Sequence, residues 1–150
     1  MAKQNKEYVY VDCYQCDENG KSSPWKRKHL DDVPKWQHEE AKDFNCFATV
    51  QKYANEKKTE GEDFLAPLYF DLDYSENPAV AQEEAIKLVE FFTGELDIQE
   101  QDLHIYFSGS KGFHILVDER ALGVEPRKDL QRVYKHIAGY LRYRLGEVQE

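Results

Sequence analysis

The chain has 150 residues, enough for one domain with a real core. Its composition, 41% hydrophobic and 13% aromatic, excludes a disordered polymer, and no apolar run approaches the 18 residues of a membrane-spanning helix. The start, Met1 to Glu7, has no apolar signal core, so a cytoplasmic location without membrane attachment is the default expectation. The net charge of −9 runs against the basic character usual for nucleic-acid-binding domains, leaving only local basic stripes for such a role.

Residues 1–37 read as a strand at Tyr8 to Val11 followed by a polar loop with Gly20, Ser22, Ser23 and Pro24. Cys13 and Cys16 form a Cys-x-x-Cys pair, and with Cys46 and His29 or His38 they could make up a zinc set. The second Cys-x-x-Cys or His-x₃-His of such sites is missing, and Cys46 stands between Phe44 and Phe47 in an apolar setting. Zinc is therefore not expected. A structural disulfide is not expected in a cytosolic chain either. Trp25 sits among Lys21, Lys26, Arg27, Lys28 and His29, where it could stack on bases; Trp36 reads as packing.

Residues 37–57 read as a helix with Phe44, Phe47, Ala48, Gln51 and Tyr53 near one side. A charged loop, 56–63, leads to a strand over 66–74. Asn77-Pro78 opens a second helix that buries Ala81, Ala85, Leu88, Val89 and Phe92, with Gly94 as its left-handed cap. Strands over 103–107 and 112–118 alternate cleanly, placing His114 on the side away from Phe113, Ile115 and Val117. A last helix spans about Pro126 to Leu145, with Arg127, Lys128, Arg132, Lys135, Arg142 and Arg144 as a basic stripe. The order β–loop–α–β–α–β–β–α predicts an α/β or α+β fold, a mixed sheet flanked by helices. The expected division is 1–37, strand and polar loop, and 38–150, sheet-and-helix core, within one domain.

Two stretches carry the chemistry. Leu68 to Tyr74 reads as a buried strand with Asp71 and Asp73 at i and i+2, hence on one face. Paired carboxylates near a core repel each other, and a divalent cation with oxygen ligands relieves that. About 35 residues on comes Phe107-Ser108-Gly109-Ser110-Lys111-Gly112-Phe113-His114-Ile115. Its glycines allow close backbone approach. Its hydroxyls, ammonium and imidazole suit a triphosphate. Alone, the acid pair would read as a strand end and the Ser/Gly/Lys run as a hairpin turn. Both lie in strongly apolar strands joined by one helix, and this combination points to nucleotidyl transfer.

These two blocks resemble the archaeo-eukaryotic primase superfamily, which includes the small catalytic primase subunit and primase-polymerases. Its first motif is hydrophobic-Asp-hydrophobic-Asp, and its second, in the small-subunit form, is Ser-Gly-basic-basic-Gly-x-His. The match covers about residues 64–118. The resemblance implies that Asp71 and Asp73 bind catalytic Mg²⁺ or Mn²⁺, with His114 completing the catalytic set. It also implies that Ser108, Gly109, Ser110, Lys111 and His114 bind the incoming nucleotide. Ser110 stands where the small-subunit form has a basic residue. The expected partners are a single-stranded DNA template and ribo- or deoxyribonucleoside triphosphates, with a helicase or other replication protein left open. The family's third motif, a further Asp, has no match by position: Asp118 ends a strand and Asp129 falls on the last helix. The resemblance thus implies the amino-terminal portion of a larger catalytic module. Two alternatives remain open: an inactive module that binds nucleotide or a nucleic-acid end, and another metal-dependent phosphotransfer enzyme such as a nuclease.

Overall fold

A computed structural model describes residues 6–74, 76–109 and 111–146. The chain has the α+β class, with antiparallel sheets and helices in two compact units. One unit comprises residues up to Ala66 together with Pro126–Lys128; the other comprises Pro67–Glu125 and the residues from Asp129 onward. The contact boundary thus falls at Ala66–Pro67, whereas the sequence reading drew its internal division at residue 37.

The first unit is a small sheet of β1 (Tyr10–Gln15), β2 (Lys26–His29), β3 (Cys46–Ala48), β4 (Lys52–Tyr53) and β5 (Phe64–Leu65). β1 is its axis, antiparallel to β2 on one side and to β3 and β4 on the other. Alternation along β1 buries Val11 and Cys13 against Trp36 and Ala41, and turns Tyr10, Asp12 and Tyr14 to the opposite face. The helix expected over 37–57 is absent. Short helical turns cover Leu30–Glu40, and Lys42, Asp43 and Asn45 then take positive φ values of 52°, 56° and 41°. Three left-handed residues stop a helix, and the aromatic segment that follows pairs with β1 instead. Phe44 and Phe47, expected near one side of that helix, are 43% and 46% exposed. The three cysteines are free thiols, and burial pushes the Cys13 thiol up, with the neighbouring Asp12 charge adding.

The second unit is a three-stranded antiparallel sheet in the order β6–β8–β7, with β6 Leu68–Asp73, β7 Leu103–Phe107 and β8 Gly112–Val117. Between β6 and β7 runs α1 (Pro78–Glu90); α2 (Leu130–Leu145) follows β8. Asn77 caps α1, its side chain accepting from the Ala79 N–H, and Pro78 takes the first turn. A π-helical turn, Phe91–Glu95, extends α1, and the left-handed residue beyond it is Asp97 (φ 53°), not Gly94. α2 starts at Leu130 rather than Pro126. Arg127 instead pairs with Phe64, its N–H donating to the Phe64 carbonyl at 3.1 Å.

Both helices pack on one face of this sheet. Leu68, Ile115 and Val117 from the strands, Ala85, Leu88, Phe91 and Phe92 from α1 and its extension, and Leu141 from α2 share one core with Ile98. Phe70, Leu72 and Phe113 pack at its edge. The alternate residues Tyr69, Asp71, Asp73, His104, Tyr106, His114 and Leu116 lie on the other face. Among the described residues no helix is long and apolar enough to cross a membrane.

Candidate active site

The antiparallel register places Asp71 opposite His114, and His114 opposite Tyr106. One row across the open face therefore reads Asp71, His114, Tyr106. His114 Nε2 lies 3.4 Å from Asp71 Oδ1. The next pair along β6 and β8 is Asp73 opposite Gly112. The sequence reading placed His114 beside the acids and away from the core residues of its strand, and the register puts it there.

Asp71 and Asp73 are exposed, with the Asp71 side chain 58% accessible. This corrects the expectation of a buried strand with the acids near its core. The strand is buried only through Leu68 and its helix-facing residues, and the acids project from the other side. Their mutual repulsion is accordingly moderated by water. Tyr69, two residues before Asp71, stacks obliquely on His114 with ring centroids 5.5 Å apart. Burial raises the Tyr69 phenol, and the Asp71 charge raises it further. Tyr69 and Tyr106 were not singled out from the sequence. Their signal was the two-residue period itself, which puts them on the same face as Asp71 and His114.

The Ser/Gly/Lys stretch is a hairpin turn between β7 and β8. The Ser108 N–H donates to the Gly112 carbonyl at 2.8 Å. Ser108 Oγ accepts from the Lys111 and Gly112 N–H groups at 3.3 and 2.9 Å. The hydroxyl oxygen thus folds the turn. Gly109 has φ 95°, a conformation that favours glycine, with open space beside it. The Tyr74 N–H donates to the Lys111 carbonyl at 3.1 Å, tying the end of the acid-bearing strand to the turn. Asp73 and Lys111 are therefore brought to the same end of the sheet. Ser110 lies outside the described residues.

Gly112 is fixed by close packing. A Cβ there would run into the backbone carbonyl of Leu72 on the neighbouring strand. The glycine that the sequence suggested for a phosphate cradle is required by strand pairing.

Asp71 and Asp73 offer hard oxygen donors from adjacent positions on one face, which suits Mg²⁺ or Mn²⁺ as far as two ligands go. Among the described residues no group of three His, Cys, Asp or Glu side chains forms a metal-holding cluster. Asp118 lies past the end of β8, and its carboxylate accepts from Arg120 at 2.7 and 3.0 Å.

A sequence model of the DNA primase small subunit matches residues 70–147. The DNA primase small subunit PriS of Thermoplasma volcanium is 36% identical over 95 residues, covering 53% of this chain and 27% of that protein. PriS of Methanocorpusculum labreanum is 36% identical over 76 residues, 43% of this chain and 20% of the relative. PriS of Pyrobaculum islandicum is 40% identical over 60 residues, 38% of this chain and 19% of the relative. The matched region thus spans about a quarter or less of the length of these curated relatives. No solved structure matches the chain significantly.

Proposed function

The chain belongs to the DNA primase small-subunit family, and from that premise we propose that it carries the nucleotide- and metal-binding part of a primase or primase-polymerase. The reaction is template-directed addition of a nucleoside triphosphate to a 3′-hydroxyl on single-stranded DNA. The observation that carries this reading is the Asp71–His114 row beside the Ser108–Lys111 turn, within the stretch that matches the family.

In this reading Asp71 and Asp73 hold Mg²⁺ or Mn²⁺. Held there, such a cation would lower the pKa of the attacking hydroxyl and offset charge building on the triphosphate. Lys111 adds a point charge for the phosphates. The Ser108 hydroxyl and the Gly109 backbone offer hydrogen bonds on a turn already closed by its own backbone. Ser110 adds a second hydroxyl. His114, beside Asp71, donates from its ring toward the triphosphate and keeps it in line for attack. Further acidic ligation would come from outside the described residues, in keeping with the short span of the relatives that the match covers.

The test is incorporation of labelled nucleotide on a single-stranded template by a longer form of the protein that spans its relatives' length. Asp71→Ala or Asp73→Ala should abolish incorporation while leaving the circular dichroism spectrum and melting transition in place, because both side chains are exposed. Incorporation that survives either change sinks the assignment. A second reading, a module that binds nucleotide without turning it over, is favoured by the absence of a three-ligand acidic cluster among the described residues. Metal-dependent nucleotide binding by a longer form that incorporates nothing would establish it.

A further inference from the structure

The open face of the second unit carries an aromatic side chain that neither the core nor the metal and phosphate contacts use. Tyr69 of β6 faces away from the helices and is 39% exposed, while its strand neighbours Leu68 and Phe70 face the core. It is paired with Leu116 of β8, so His114, two residues back along β8, is its diagonal neighbour on the same face. The two rings meet with centroids 5.5 Å apart and planes tilted by 54°. Rings at this separation attract each other beyond the area they bury.

His114 has few other restraints. Its Nε2 lies 3.4 Å from Asp71 Oδ1, and among the described residues its ring has no other hydrogen-bond or ion-pair partner. That partner is the residue which the proposed function gives to the cation. A carboxylate that ligates Mg²⁺ or Mn²⁺ shares its charge with the metal, so its pull on the imidazole weakens as the metal-bound nucleotide arrives. The contact with Tyr69 does not depend on that charge. The Tyr69 backbone is fixed as well, because β6 pairs with β8 from Leu68 to Asp73. An imidazole with neither partner would turn freely between rotamers and lose that freedom only on meeting a phosphate, at a cost to affinity.

We propose that Tyr69 is a positioning residue: its ring holds the His114 imidazole on the acid row, where it meets the triphosphate while Asp71 turns to the cation. This rests on the nucleotide-site reading, and the test separates the two. The first readout needs no nucleotide. In proton–carbon NMR spectra of the 150-residue chain labelled at histidine, the His114 ring resonances should move and broaden in Tyr69→Ala. They should stay near their parent positions in Tyr69→Phe, which keeps the ring. The second readout is the affinity for ATP, by calorimetry with Mn²⁺, of Tyr69→Ala, Tyr69→Phe, His114→Ala and the Tyr69→Ala, His114→Ala double variant. Tyr69→Ala should weaken binding about two- to tenfold, the cost of ordering one freed side chain, and Tyr69→Phe should restore it. In the His114→Ala background, Tyr69→Ala should cost nothing further, whereas a merely structural Tyr69 would weaken binding equally in both backgrounds. Unmoved His114 resonances in Tyr69→Ala, or equal losses with and without His114, overturn the proposal. So does an affinity that Tyr69→Ala leaves unchanged while His114→Ala lowers it. Asp71→Ala reports on the metal-dependent site itself: ATP binding that it leaves intact removes the nucleotide-site reading, whatever the His114 resonances show, and the role of Tyr69 falls with it.

Discussion

Arg27 stands in the middle of a basic run, yet its side chain is only 5% exposed. Its Nε and Nη2 donate to the two Asp12 oxygens at 2.9 and 3.2 Å, and Nη1 reaches Glu62 at 2.8 Å. Its guanidinium carbon sits 3.9 Å over the Tyr53 ring. One residue of this basic run is thus a structural knot, and nothing in Lys26-Arg27-Lys28 distinguishes it. Only the partners do, and they come from 15 and 35 residues away. Tyr134 is a second such case. Burial, with the Glu119 carboxylate adding, pushes its phenol up to about 12 from 10.0. A folded-state value above the unfolded one favours the protonated form of the folded chain. The stability it contributes is therefore intact below pH 10 and lost as pH rises through about 12. Stability of Tyr134→Phe, measured by denaturant unfolding, should decline less steeply between those values than that of the parent chain. Equal slopes would contradict the assignment.

At the scale of elements, legibility follows the range of the forces involved. β6 and β8 were readable because alternation is local, and alternation also placed Asp71, Asp73 and His114 on one face. The segment 37–57 was misread because Phe44, Phe47 and Ala48 also fit a helical period. What decides against the helix is the left-handed backbone at Lys42, Asp43 and Asn45, and pairing with a strand 30 or more residues away. The exposure of the acids was missed for a related reason: an apolar strand sequence does not say whether one face or two are covered. Gly112 belongs to this scale, because it acts through the pairing of β6 with β8. Gly112→Ala would press a methyl group into the Leu72 carbonyl, and the strands must separate locally. The expected cost is about 1–3 kcal/mol of unfolding free energy, the usual range for overpacking. The Asp71–His114 register would loosen with it. Unchanged stability by denaturant titration would refute the close approach.

Over the whole molecule, each unit carries its own core, and the family match, 70–147, falls on the second apart from Pro126–Lys128. Within that unit, β6 and β7 each pair only with β8 among the described residues. On the helix-covered side, Ile105 and Phe107 of β7 and Ile86 of α1 remain 50%, 60% and 50% exposed. In the proposed reading this apolar margin is where the remainder of the catalytic module packs, which agrees with the short span of the relatives that the match covers. The candidate site lies on the opposite, open face, so nucleotide binding by the 150-residue chain alone can be measured before synthesis is asked of it.

The most direct measurement is equilibrium binding of a nucleoside triphosphate to this chain by calorimetry, with Mn²⁺ and with EDTA, alongside Asp71→Ala and Lys111→Ala. The expected result is binding that requires the cation, is lost in Asp71→Ala, and is weakened in Lys111→Ala. Binding that persists in EDTA or is unchanged by Asp71→Ala would contradict a metal-dependent nucleotide site built on Asp71, Asp73 and the Ser108–Lys111 turn.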